Sequence, residues 1–527
     1  MKKNIVKIIV FVVIALLLYY FLLPPINLTA PEFWSFLFVL GIFYFVINSL
    51  SKATNFKLEK MIYKRPLDRS KPTLIILGVI ALIAGTILIV NLVQSPLINS
   101  KAYYNRINVA DSEFITDVKP VDFDKLALLD KDSSSKLGDR VMGEMTDLVS
   151  QFYVSDLYTQ INYKDQIVRV TPLEYDGIIK YFTNRKNGAE GYITVDSSTG
   201  EANLVRLEKG MKYMPSAYFF ENLSRKLRLS YPSTIFGEYS FEINEEGQPY
   251  WIVETIKYKG IGLRREVSGV IIFDPITGKS EKYNVNEVPT WVDHVYSADL
   301  IIEQLNDWGK YKNGFLNSLF GQKNVVKTTD GYNYLAMNDD VYLYTGITSV
   351  ASDEANVGVV LTNMRTKETK FYNVSGATEI SAMASAEGQV QQMKYKSTFP
   401  LLVNLNNKPT YLMSLKDNAG LVKMYAFVDY TNYQKVSVTD VSLGIEQAAA
   451  NYLVGSTSGE MKEGTITING IQTAVLDGTT YYYLNSNNKV YRASIKVNEK
   501  ILLFLKVNDQ IKVSYSEGEI NEIAKIS

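Results

Sequence analysis

Cysteine is absent from the 527 residues and histidine occurs once, at His294. The first shortage removes redox dithiols and, with the second, every structural zinc site made of Cys/His clusters. It also means that a domain exported without disulfides has to be held by its hydrophobic core, which is feasible at this length. A charge excess is missing too, with 55 Lys and Arg against 55 Asp and Glu, so nothing in the overall balance points to nucleic acid. No phosphate-cradling loop is present either, because Gly188, Gly191 and Gly200 have the wrong spacing for one. No cofactor or metal is therefore expected.

The balanced total hides a division. Residues 1–94 carry ten basic side chains against three acidic ones, a net +7, and the remainder carries −7. That first segment also holds three apolar runs, 5–23, 33–50 and 74–93, each near the ~20 residues a helix needs to cross a bilayer. Three membrane spans are expected from them. Seven of the ten basic residues lie between the second and third runs, in 51–71, and Lys/Arg-rich loops stay on the cytoplasmic side. This predicts a multi-pass cell-membrane protein with the N-terminus and loop 51–71 cytoplasmic and residues 95–527 outside, in contact with lipid through its anchor.

Beyond the anchor, residues 95–165 read as an extended linker and an amphipathic helix over 133–152, with Leu137, Val141, Met145 and Leu148 at helical spacing. Residues 166–453 contain an internal repeat. GYITVDSSTG from Gly191 and GVIIFDPITG from Gly269 each place Asp five residues after Gly and Thr-Gly at the eighth and ninth steps. A third copy from Gly358 keeps Asn363 and Thr366, and a fourth from Met424 keeps Asp429. Physically this is a strand, a turn capped by the Asp side chain with Gly at positive φ, and a return strand. Asp196, Thr199, Gly200, Asp274, Thr277 and Gly278 are the structural turn residues so defined. An apolar-periodic helix follows each copy, beginning near Pro215, Pro289, Thr378 and Thr439. The expected fold is α+β: about four β-meander-plus-helix modules, then a small OB- or SH3-like barrel over 455–527 from five short strands.

The chemistry is less explicit. His294 is the sole candidate base for a triad, yet Asp293 is its immediate neighbour on a predicted helix, where adjacent side chains diverge. Asp339–Asp340, Asp353–Glu354 and the Glu379/Glu387 helix face are the carboxylate groupings that a glycosidic hydrolase would draw on. The catalytic candidates are thus His294, Asp353, Glu354, Glu379 and Glu387, against the plainer reading of solvated turns and a packing histidine. The 37 tyrosines suit cross-strand packing and, on an exported β domain, a groove for sugar or peptide.

The hairpin followed by Gly-x-x-x-x-Asp-x-x-Thr-Gly resembles the strand pattern of PepSY-type modules, exported domains that bind or restrain partner proteins. Stretches such as VDFDKLALLD (121–130), PTWVDHVYSADLIIEQLNDWGKY (289–311) and GATEISAMASAEGQVQ (376–391) resemble a family of uncharacterised bacterial multi-pass membrane proteins. That family has no assigned activity, so the resemblance implies architecture and no site residue. The expectation is a membrane-anchored surface scaffold or binding protein, more plausibly not an enzyme, whose partner is an envelope protein or cell-wall polymer. An envelope hydrolase acting on peptidoglycan or peptide through carboxylates and an accessory subunit of a transport or secretion complex are the alternatives.

Overall fold

The computed structural model describes residues 2–53, 71–337, 339–350, 352–456, 462–476, 479–487, 489–495, 497–516 and 519–525. The fold is α+β and divides into two compact units, Met1–Gln434 and Lys435–Ser527.

Unit one begins with helices α1 (Lys2–Leu22), α2 (Pro31–Ala53), α3 (Lys71–Gln94) and α4 (Pro96–Tyr104). Paired rings at Phe11–Tyr44 and Tyr19–Phe36 make α1 and α2 an antiparallel hairpin. The expectation of three membrane spans is overturned. Among the described residues only Ile5–Leu22 is, as a single helix, long and apolar enough to cross a membrane. The apolar part of α2 is Pro31–Ile47, roughly 25 Å at 1.5 Å per residue and short of a ~30 Å hydrocarbon core. Gly78–Gln94 of α3 meets the test only together with α4, from which it is bent by 47°. The bend has a local cause: Ser95 precedes a proline and is extended, with φ −69° and ψ 159°. Most of the basic loop, residues 54–70, lies outside the described residues.

The expected helix over 133–152 starts at Lys131, where Asp130 caps it by accepting from Ser133 N–H at 2.9 Å, and ends at Glu144. Phe152 then starts a strand. The first sheet runs in the order Phe152–Val154, Gln166–Tyr175, Ala189–Asp196, Ala202–Met211, with Thr159–Tyr163 also paired to the second of these. The second is an antiparallel sheet of four strands, Ile235–Ile243, Pro249–Tyr258, Arg265–Phe273 and Ser280–Asn284, paired in chain order.

Why YWIVETI and GVIIF read as unbroken apolar runs is now evident. Trp251, Val253, Ile271 and Phe273 on one face of the second sheet share a core with Val168, Val170, Tyr192 and Ile193 of the first. Ile252, Val270 and Ile272 on its other face pack with Leu300, Ile301 and Leu305 of the helix Ala298–Tyr311 and with Val341, Leu343 and Val360 of the paired strands Asp340–Ser349 and Ser352–Asn363. A strand covered on both faces has no polar alternation to display. The helix expected near Thr378 starts there, with Thr378 as its cap accepting from Ser381 N–H at 3.2 Å, whereas the other three start later than the sequence suggests, at Leu223, Ala298 and Ile445.

Unit two contains a six-stranded sheet over Lys462–Lys525 with the helical turn Glu499–Leu502 placing Leu502 in its core. The barrel expected here does not close. Its two outermost strands, Lys462–Thr467 and Gly470–Leu476, are unpaired with each other among the described residues. Gly470–Leu476 is the additional strand that the five-strand reading lacked.

Candidate binding cleft and the buried polar centre

Both Asp-x-x-Thr-Gly turns form as their chemistry requires. Asp196 Oδ1 accepts from Ser198 N–H at 2.8 Å and Thr199 N–H at 2.9 Å, and Gly200 sits at φ +78°. Asp274 repeats the arrangement with Ile276 at 2.8 Å and Thr277 at 3.1 Å, and Gly278 at φ +72°. Burial pushes the Asp196 carboxyl up, but the hydrogen bonds from Ser198 and Thr199 outweigh it and hold the group below the usual carboxylate range. In the third copy Asn363 accepts from Arg365 and Thr366, both at 2.9 Å, and Lys367 occupies the glycine position at φ +63°. These turn side chains are therefore occupied by backbone N–H groups.

The turns matter for where they stand. Asp196 at the end of the first sheet and Asp274 and Thr277 at the end of the second both border one cleft of about 740 Å³. Its walls present Tyr163, Tyr192 and Tyr250 with the amides of Gln166, Asn203 and Gln248. Tyr192 forms the floor, its hydroxyl donating to Gly247 O at 2.8 Å, and Tyr250 is backed by Trp291 with ring centroids 5.2 Å apart. Glu208 and Glu246 line the same cleft on exposed positions, while Arg206 is paired with Asp147 at 2.9 Å. Aromatic faces ringed by amides and carboxylates can stack on and hydrogen-bond a polar, weakly charged ligand.

The catalytic candidates whose side chains are described, His294, Glu379 and Glu387, lie elsewhere and do not converge. His294 Nε2–H donates to Gln160 O at 2.7 Å, and its ring edge meets Tyr334 at 5.8 Å between centroids. Asp293 is 2% exposed and accepts from Asn162 N–H at 2.7 Å, in place of orienting the imidazole. Glu242, wholly buried, accepts from Asp293 N–H at 2.9 Å and His294 N–H at 3.3 Å. Burial and the neighbouring Glu242 charge push the Asp293 carboxyl well above its ordinary value. Glu379 is fully buried and accepts from Tyr344 OH at 2.9 Å, whereas Glu387 pairs at the surface with Lys396 at 2.7 Å. The two are eight residues apart on one helix, about 12 Å along its axis, beyond the separation of a glycosidase pair. Asp353 and Glu354 lie in the strand Ser352–Asn363, with side chains outside the described set. Asp340 is paired with Arg365 at 2.6 Å.

Sequence reasoning missed Glu242, Gln160 and Arg169. Arg169 is 6% exposed, its Nε has no hydrogen-bond partner, and it makes no ion pair among the described residues; burial pushes its guanidinium down. The tyrosine excess was the one available signal for the cleft. No family model matches the chain, and no curated protein matches it.

Proposed function

We propose that this protein is a membrane-anchored, non-enzymatic binding protein of the cell envelope that holds a saccharide segment of a cell-wall polymer in the cleft between its first two repeat sheets. The observation that carries the reading is the cleft itself: tyrosine faces and amides brought together from two sheets, with the carboxylates of both turns occupied by their own backbones. Neither His294 nor Glu379 or Glu387 opens onto it. The similarity of the hairpin-and-turn unit to PepSY-type modules supports binding over catalysis in the same sense. Anchoring is assigned to α1, with Lys2, Lys3 and Lys7 on the cytoplasmic side and the folded unit on the other.

The test is co-sedimentation of the full chain, in detergent micelles, with purified insoluble cell wall. Binding that falls at least tenfold in Tyr163→Ala and Tyr250→Ala, with unfolding midpoints unchanged, supports the reading. Undiminished binding in both variants, or capture of an envelope protein in place of the wall, overturns it.

A further inference from the structure

The folded part of unit one grips the end of α1. Arg228 Nε donates to Leu23 O at 2.9 Å, Ile26 N–H donates to Pro232 O at 2.7 Å, and the Arg225 guanidinium lies over the Tyr20 ring at 4.1 Å. Arginines at a helix C-terminus satisfy its last carbonyls and oppose its dipole. The grip fixes what stands beside the helix end. Tyr20 packs edge-on against Phe220, ring centroids 6.1 Å apart, and Phe182 meets Phe219 at 6.0 Å.

These rings belong to a surface that is apolar and uncovered. Ile179 is 74% exposed, Phe220 64% and Phe182 51%, with Ile178 and Phe219 also exposed. Phe219 sits at φ +53°, a region that bulky side chains avoid, held there with Arg225 Nη1 donating to its carbonyl at 2.5 Å. A strained backbone that turns two phenyl rings outward asks for a reason at the surface. A second exposed apolar patch lies beside α4, where the helical turn Gly314–Leu316 packs on that helix and Leu316, Leu319 and Phe320 are exposed, the last by 82%.

We propose that the Ile178–Phe182 and Phe219–Phe220 patch is seated in the interfacial zone of the lipid bilayer that receives α1. Aromatic rings at the level of the headgroups are the ordinary anchors of a membrane surface, and the contact with Tyr20, near the end of the apolar Ile5–Leu22 segment, sets this patch at that level. Lipid covers apolar surface that would otherwise be left to water. The consequence is a domain held flat on the bilayer, its orientation fixed by contact as well as by tether. The inference rests on α1 being the anchor.

A chain without cysteine allows single labelling sites without background. Nitroxides would be placed by Phe182→Cys, Phe220→Cys, Leu16→Cys in α1 and Leu421→Cys, an exposed residue outside the patch, in the full chain reconstituted into phosphatidylcholine/phosphatidylglycerol vesicles. Power saturation compares oxygen with a water-soluble nickel chelate. The expected result is oxygen accessibility exceeding that of the chelate at 16, 182 and 220, and the reverse at 421. Labels at 182 and 220 that behave like the one at 421, while 16 stays in lipid, overturn the proposal and leave the anchor standing. An aqueous label at 16 removes the anchor and this inference together. Dipolar broadening at 182 or 220 that disappears on dilution with unlabelled chain identifies a second copy as the cover, and also overturns it.

Discussion

In the first sheet the cleft and the buried polar centre take alternate residues of the same strands, whereas in the second Tyr250 of the cleft is paired directly with Glu242 of the centre; the two regions nonetheless behave in opposite ways. Val168 turns toward the cleft and Arg169, one residue on, turns away from it. In the cleft, Tyr163, Tyr250 and the amides of Gln166, Asn203 and Gln248 reach solvent, over a buried Tyr192 whose hydroxyl is taken by Gly247 O. In the centre, Glu242 accepts from the backbone of the 293–294 loop, and Asp293 and His294 bond backbone groups of the strand Thr159–Tyr163. Carboxylates and a histidine in one neighbourhood thus form a structural junction, whereas the cleft sets its tyrosines and amides beside the exposed Glu208 and Glu246.

Four expectations sharpen the contrast. The largest is at Glu242, whose removal in Glu242→Ala leaves the buried Asp293 N–H and the half-buried His294 N–H unpaired and is expected to cost about 2–4 kcal/mol by urea unfolding; a loss under 1 kcal/mol would show that the centre is not a junction. Next, Arg169→Met is expected to raise stability by about 1–3 kcal/mol, because it removes a buried cation with no ion-pair partner among the described residues. A fall would mean that the guanidinium is compensated. Third, the raised carboxyl of Asp293 makes the folded state bind more protons than the unfolded one. Its contribution is complete below the unfolded value of about 4 and is lost as pH rises toward its folded value. Urea midpoints should therefore show a downward slope above pH 4 that Asp293→Asn flattens. The smallest effect belongs to the cleft, where Tyr163→Ala and Tyr250→Ala should each change stability by no more than about 1 kcal/mol while weakening binding.

Local features were legible in the sequence and closures were not. An Asp that caps a turn and a Gly at positive φ act within five residues, so the turns at Asp196 and Asp274 could be read directly. The third copy was recognisable too, although Lys367 replaces the glycine while keeping its conformation. Glu379 and Glu387 resembled a helix-face pair until Tyr344, distant in sequence, buried the first of them. The barrel failed for the same reason: five short strands show alternation, but whether the outer two meet depends on a register that no local stretch encodes. The spans were misjudged by length, since α2 loses its apolar run at Ile47 and α3 joins α4 through the bend at Ser95. For the site, composition announced tyrosines without saying which three would line one cleft, because Tyr163, Tyr192 and Tyr250 come from separate strands of two sheets.

The central claim, that ligand meets the protein between the first two sheets, is tested most directly by hydrogen–deuterium exchange of the full chain with and without soluble cell-wall oligosaccharide. Protection confined to the strand Ala202–Met211 and the 243–250 turn is the predicted result. Protection around Asp293–His294 with the cleft unchanged, or none anywhere at saturating oligosaccharide, would contradict it.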